Sequence, residues 1–302
     1  MIWIRRKCLL LEADNSRTLE FVVSDSDAGQ DAGAFLKRKG VSRRLITKLK
    51  RVPDGICCDG KHIRVIDIVN PGSVISIRLE DDKKLEPNGN LSVPVFFEDE
   101  DVIVFNKPVN MPVHPSIKHQ GDTLGNYFSY LYPDLTFRPV NRLDRDTSGL
   151  CVVAKNAHSA NRLQSSVNKV YYAVVCGIPP YEGRIDAPIA RTAESIILRE
   201  VREDGQRAVT DYTIIKNNEK YSLVKVILQT GRTHQIRVHF AYIGYPLAGD
   251  DMYGGDVTDT KVQALHCGEV TFVHPVTGKK IRLTCDIRDD MKRLTDCNVT
   301  AL

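Results

Sequence analysis

The residue types best suited to chemistry crowd into five positions, Arg142-Leu143-Asp144-Arg145-Asp146. A turn signal follows, Thr147-Ser148-Gly149, and then an apolar run, Leu150-Cys151-Val152-Val153-Ala154, that reads as a buried strand. The charged cluster therefore sits on a loop anchored by a rigid strand, where catalytic groups tend to lie. An ionised carboxylate can act as a nucleophile. Burial raises a carboxylate's pKa and a nearby cation lowers it, so a nucleophilic Asp in a dry cleft needs a cation beside it. Guanidinium suits that task, because it never deprotonates and can grip a carboxylate with two prongs. Charge alone would equally fit a solvated loop with one or two surface ion pairs.

Four further blocks carry reactive or basic side chains. They are Asn106-Lys107-Pro108 with His114-Pro115; Lys169-Val170-Tyr171-Tyr172-Ala173; Gly231-Arg232-Thr233-His234-Gln235-Ile236-Arg237-Val238-His239; and Leu265-His266 with Phe272 to Gly278. With Arg142 to Gly149, which fits R-L-D-x-x-T-S-G, these blocks resemble, in order, those of the RluA/RluD-type RNA pseudouridine synthases. The resemblance covers about residues 95 to 285, most of the chain. Two positions depart from the family pattern: Asn141 stands where a His is usual, and Asn110 where a Gly is usual.

The resemblance implies a reaction. Uridine becomes pseudouridine when the base–sugar C–N bond breaks and a C–C bond to the same base forms. No electrons enter or leave, so no redox cofactor, metal or nucleotide is expected. The family's catalytic aspartate maps onto Asp144, which would attack either the ribose or the base. Asp146 is expected to pair with an arginine of its own loop. Arg232 and Arg237 are the candidate cations. The family pattern assigns the ion pair with Asp144 to Arg237; Arg232, at the start of the expected helix, is the better placed of the two to meet phosphate. Tyr171 maps onto the tyrosine that stacks on the target base, and stacking suits an enzyme that must retain a freed uracil. Tyr172 should point to the opposite sheet face. A uridine paired or stacked in RNA must be flipped out, and Arg142 maps onto the residue that fills the gap, though a phosphate contact would serve it as well. Lys107 and His234 complete the expected substrate contacts.

Bulk properties set the frame. The chain has 302 residues, enough for two domains, with 42% hydrophobic and 26% charged residues and a net charge of +4. None of the eight cysteines has C-x-x-C spacing, and the histidines lack ligand spacing, so no metal site is expected. Free, apolar-flanked cysteines suit a reducing cytoplasm. The N-terminus lacks the apolar core of a signal peptide, and no run reaches membrane-spanning length.

The elements that must position these residues follow from periodicity. In the first eighty residues, a strand is expected over 17–23, helices over Ala28 to Lys39 and after a Ser42 cap, and strands at Ile56 to Cys58, Lys61 to Val65 and Val74 to Leu79. Leu45, Ile46 and Leu49 form the second helix's apolar face. This unit resembles the αL-type RNA-binding domain shared with ribosomal small-subunit protein S-four. Between Lys37 and Arg51 lie eight basic residues and no acid. Arg43, Arg44 and Lys48 are the expected phosphate contacts. Residues 81–92 read as a linker. From residue 93 to 302, many strands with interspersed helices, at Thr123 to Tyr132, Ala157 to Val167 and Thr233 to Ile243, predict an α+β catalytic domain built on a mixed β-sheet. RNA is the expected partner, as ribosomal RNA or pre-ribosomal particles in the family's manner, with a monomer acting alone. A fold-preserving RNA-binding protein and a carboxylate-based glycosidase are the rival classes. Asp144, Tyr171 and Arg237 occurring together speak against the first, and the basic N-terminal unit against the second.

Overall fold

The computed structural model describes residues 17–79, 85–116, 118–195 and 197–296. Expectations placed on Met1 to Lys7, Cys8, Asp81 to Lys84 and Cys297 lie outside the described residues. Internal contacts divide the chain into two units, Met1–Lys83 and Lys84–Leu302.

The first unit contains β1 (Arg17–Val22), α1 (Ala32–Arg38), α2 (Arg43–Leu49), β2 (Ile56–Cys58), β3 (Lys61–His62) and β4 (Val74–Leu79). Its strands form an antiparallel sheet in the order β1-β4-β2-β3. α1 starts four residues later than the spacing predicts. Asp31 caps it, accepting the Ala34 N–H at 2.7 Å, while Asp25–Asp27 forms a separate 3-10 turn. α2 begins as expected: Ser42 accepts the Leu45 N–H, and Leu45, Ile46 and Leu49 are buried. Asp59 and Gly60 both have positive φ, 50° and 77°, as a two-residue hairpin with primed geometry requires. β3 stops at His62, short of Val65.

The second unit holds β5 (Val95–Glu98), β6 (Val102–Lys107), α3 (Leu124–Leu131), β7 (Arg138–Pro139), β8 (Ser148–Ala154), α4 (Ala157–Leu163), β9 (Asn168–Cys176), β10 (Glu182–Asp186), β11 (Ile189–Arg191), β12 (Arg199–Val201), β13 (Val209–Asn217), β14 (Tyr221–Leu228), α5 (Gln235–Tyr242), β15 (Leu265–Val273), β16 (Lys280–Thr284) and α6 (Asp289–Leu294). The main sheet runs β10-β13-β14-β9-β15-β8-β6-β5, with β16 on β15 and β7 on β8. β8 and β15 pair in parallel and the other neighbours antiparallel, so the sheet is mixed and the fold α+β, as expected.

Both faces of the sheet centre are covered. Along β9, Tyr171, Ala173 and Val175 join the main core, while Tyr172 and Val174 join a second core with Leu223, Ile287 and Met291. β8 is buried at every position, which its unbroken apolar run requires. At Gly149 the chain takes φ +105°, and a Cβ there would strike the Cys267 backbone on the parallel neighbour β15. Only glycine lets β8 approach β15 this closely.

Residues 86–88 are held by α3. The Asn126 amide donates to the Glu86 carbonyl at 2.7 Å, and the Asn88 N–H donates to the Asn126 carbonyl at 3.1 Å. β7, β11 and β12 run two or three residues each, too short for an alternating pattern to show. α6 lacks a side-chain cap, which removes the usual start signal.

Candidate active site

The loop before β8 is fixed from below and from both sides. Lys107, at the end of β6, is fully buried. Its ammonium donates to three backbone carbonyls: Pro108 at 2.8 Å, Met111 at 2.7 Å and Arg145 at 3.0 Å. Burial pulls its pKa down to about 8, so it remains charged at neutral pH. This corrects the expectation of a substrate contact. Lys107 lies beneath the loop, and its three donors are spent on holding the backbone. Asn110, on the same segment, takes φ +58°, a left-handed conformation that asparagine tolerates and glycine adopts freely. The Gly-to-Asn departure thus keeps the backbone shape.

The second departure is also accommodated. Asn141 is buried, and its side chain pairs with β8 in place of a strand. Its oxygen accepts the Val152 N–H at 2.7 Å, and its NH2 donates to the Leu150 carbonyl at 3.1 Å. Past the cluster, the Thr147 N–H closes a turn on the Asp144 carbonyl at 3.1 Å. Gln263 donates to the Thr147 hydroxyl at 2.7 Å, and Ser148 bonds His266 at 2.8 Å. Arg145 takes Asp146 with two prongs, at 3.0 and 2.8 Å.

Asp144 projects from this loop into a cleft that it shares with Tyr171, Arg142 and Arg232. The inner end of the cleft adds His234 and Arg237. Arg237 Nη1 lies 3.7 Å from Asp144 Oδ2, and His234 Nε2 lies 3.8 Å from the same oxygen. Both distances are ion-pair separations rather than hydrogen bonds. The two-pronged grip of Arg237 goes elsewhere. Its Nε and Nη2 meet Asp250 at 2.6 and 2.7 Å, with both side chains buried. The guanidinium also lies over the Tyr253 ring, 4.8 Å from its centroid. Arg237 thus has one nitrogen group left for Asp144, and its position does not depend on Asp144.

Tyr171 is 7% exposed. Burial holds its phenol well above the usual value of 10, so it stays protonated. Tyr172 faces the other core, as the alternation predicts. Arg142 and Arg232 are exposed at the cleft mouth, where they line an adjoining hollow with Arg191 and Arg199.

α5 starts at Gln235 and not at Thr233. His234 takes φ +58°, ψ 17°, which breaks the helix before it. Arg232 therefore lies in the preceding loop, its backbone N–H bonded to the Gln235 side chain at 3.0 Å and its Nε to the Arg207 carbonyl at 3.1 Å. Ile236 and Phe240 pack into the core as their spacing predicts. His239 and His274 serve the fold: His239 bonds Thr210 and the Ala187 carbonyl, and His274 bonds Asp99.

Asp250 and Tyr253 carry no signal in the sequence. They sit in an irregular stretch where no period marks them, and the sequence does not say which arginine an isolated loop acid will meet.

A guarded carboxylate, a protonated phenol and a pre-set guanidinium in one cleft form a site suited to covalent attack by a carboxylate. A family model described as RNA pseudouridylate synthase matches residues 101–242. Bacillus subtilis YjbO, whose name calls it an uncharacterized RNA pseudouridine synthase, is 36% identical over 84% of this chain and 94% of its own. Ribosomal large subunit pseudouridine synthase D of Xanthomonas campestris is 34% identical over 93% of this chain and 92% of its own. The structure of human RNA Pseudouridylate Synthase Domain Containing 1 matches with a TM-score of 0.58 at 24% identity, covering 72% of this chain and 93% of that one. That last likeness speaks to the fold alone. The chain belongs to the RNA pseudouridylate synthase family, among its RluA/RluD-type members. It is an RNA-modifying isomerase.

Proposed function

We propose that this enzyme isomerises specific uridines of structured large-subunit ribosomal RNA, with Asp144 as nucleophile. The observation that carries the mechanism is the pairing of Asp144 Oδ2 with an Arg237 already fixed by Asp250. The cation is in place before substrate arrives, so no reorganisation is needed to set it beside the carboxylate. Tyr171 stacks on the flipped base and holds it after the N1–C1′ bond breaks. Asp144 bonds to the ribose or the base as N1–C1′ breaks, and that bond breaks again as C1′ bonds to C5; the C5 proton then leaves, and N1 gains a proton. Arg142 enters the gap left by the base, and Arg232 and His234 contact the flipped nucleotide. The relatives named for ribosomal RNA support the choice of substrate. Mapping pseudouridine in RNA from cells lacking the protein tests it. Loss of sites in large-subunit RNA is expected, and loss confined to transfer RNA would overturn the choice. A monomer in the cytoplasm suffices for this reading.

The N-terminal unit, in this reading, is an αL-type RNA-binding domain occupying about residues 1–80. Arg43, Arg44 and Lys48 are exposed along α2. The basic run is less uniform than its sequence implies, because Arg38 and Lys39 pair with Asp27 at 2.9 and 3.0 Å. The Ser24 hydroxyl and then Lys39 hold that carboxyl well below its usual range. Phosphate binding therefore falls to α2. Replacing Arg43, Arg44 and Lys48 with Ala should weaken RNA binding and flatten the log–log salt dependence by up to about 0.9 unit for each phosphate no longer neutralised. The modified uridine should stay the same. An unchanged salt slope would show that this face does not meet RNA.

A further inference from the structure

Tyr253 ends a one-turn 3-10 segment, Asp251–Tyr253, directly after the Asp250 that grips Arg237. Its hydroxyl meets two nitrogens. It accepts the backbone N–H of Arg199, on β12, at 3.1 Å, and it lies 2.8 Å from Nδ1 of His234. A backbone N–H can only donate. A neutral phenol has one proton to give, and burial pushes the pKa of this phenol up from 10. Among the described residues, His234 Nδ1 is the acceptor within reach of that proton. When the phenol donates there, Nδ1 is unprotonated, and a neutral imidazole carries its hydrogen on Nε2. Nε2 is the atom that faces Asp144 Oδ2 at 3.8 Å, beside Arg237 Nη1 at 3.7 Å.

We propose that Tyr253 is a positioning residue: its hydroxyl fixes His234 as the Nε2–H tautomer, so that an uncharged N–H and the Arg237 guanidinium together address Oδ2 of Asp144 and leave Oδ1 for the uridine. This rests on Asp144 being the nucleophile. The opposite tautomer would turn a lone pair toward the carboxylate and repel it. The backbone is committed to this arrangement. His234 occupies the left-handed region, which is strained for a non-glycine residue and persists only where the surroundings enforce it. The ring geometry agrees, with His234 set edge-on to Tyr253 at 81° and 5.7 Å between centroids. His239, one turn along α5, shows the same logic spent on structure. Its Nε2 can only donate to the Ala187 carbonyl at 2.9 Å, and its Nδ1 takes the Thr210 hydroxyl at 2.9 Å.

The groups facing His234 are Asp144 from the loop before β8, Arg237 from its own helix, Arg199 from β12, and Asp250 and Tyr253 from the segment after α5. Burial lowers its pKa below 6.5, and Arg237 and Arg199 add to this against Asp144 and Asp250. It is uncharged at neutral pH. A phenol donating to Nδ1 stabilises the neutral ring, so removing that donor should raise the pKa.

Tyr253→Phe isolates the hydroxyl, because the ring under Arg237 remains. The test joins two measurements on the full chain. Long-range proton–nitrogen NMR on 15N-histidine protein, with His234→Gln for assignment, reads the tautomer directly. Single-turnover pseudouridine formation reads the rate. In the wild type, Nδ1 should be unprotonated and Nε2 protonated. In Tyr253→Phe that preference should be lost and the rate should fall by about tenfold to a hundredfold. RNA affinity should stay within about twofold, and the acid limb of the pH–rate profile should move to higher pH. A wild-type His234 protonated at Nδ1 overturns the proposal even if the variant fails to fold. So does a Tyr253→Phe enzyme with wild-type rate and pH profile while Asp144→Asn is dead. An active Asp144→Asn would instead overturn the nucleophile assignment beneath it.

Discussion

Asp144→Asn should lower single-turnover pseudouridine formation by roughly four to six orders of magnitude, the usual scale for removing a nucleophile. The amide has nearly the shape of the carboxylate, so packing should hardly change. It lacks the charge that makes the oxygen reactive, and no neighbouring acid can replace it, because Asp146 is bound to Arg145 with two prongs. Folding stability should stay within about 1 kcal/mol of wild type, since the Asp144 side chain is 32% exposed and its contact with Arg237 is long. Arg237 is not orphaned by this change, because Asp250 still holds it. RNA affinity should be retained or rise slightly as a negative charge leaves the cleft. Asp146→Asn is the control: it loosens a largely exposed pair, 52% and 24% exposed, and should keep activity within about tenfold.

The second large effect is expected at a residue that touches no substrate in this mechanism. Asp250→Ala removes the partner of a buried arginine, with side chains 7% and 1% exposed. Breaking a buried pair on one side typically costs about 3–5 kcal/mol, because the remaining charge is left without compensation. Denaturant unfolding should show that loss with little change in the m-value. Asp250→Asn retains an acceptor oxygen and should be milder for the fold. It can no longer set the guanidinium with two charged prongs, so Arg237 should turn toward Asp144 and close the 3.7 Å gap. A direct grip would bind up the nucleophile. Turnover should fall by about a hundredfold, the scale of an ångström-sized misplacement in an active site. Wild-type turnover in a folded Asp250→Asn would show that Arg237 is held by other contacts, such as the Tyr253 ring.

The strands and helices that carry the site are legible in the sequence because their signals are strong. The apolar run of β8, the alternation around Tyr171 and Tyr172, and the Ile236–Phe240 spacing each place a side chain on a definite face. The family motifs then mark Asp144, Tyr171 and Arg237, and the fold brings all three to one cleft. Depth is not legible. Lys107 carries the same formal charge in the sequence whether it meets phosphate or three carbonyls, and only the burial of β6 decides between them. The partner of Arg237 is hidden for a related reason. Asp144 and Asp250 are equally good acids, and the choice is made by an irregular turn with no periodic pattern. The start of α5 is hidden too, because nothing about a histidine announces φ +58°. The departures at Asn110 and Asn141 make sense only beside a left-handed φ and two unpaired groups on β8, each of which an asparagine suits.

The central claim is that Asp144 performs uridine isomerisation in RNA. The most direct measurement uses large-subunit ribosomal RNA transcripts labelled with tritium at C5 of uridine, because forming the new C5–C1′ bond must release that hydrogen to water. Purified full-length protein in excess over RNA should release tritium in proportion to pseudouridine formed, and Asp144→Asn should release none above background while binding the same RNA. Tritium release by Asp144→Asn within tenfold of wild type, with Asp146→Asn inactive, would contradict the claim and move the nucleophile two residues along the chain.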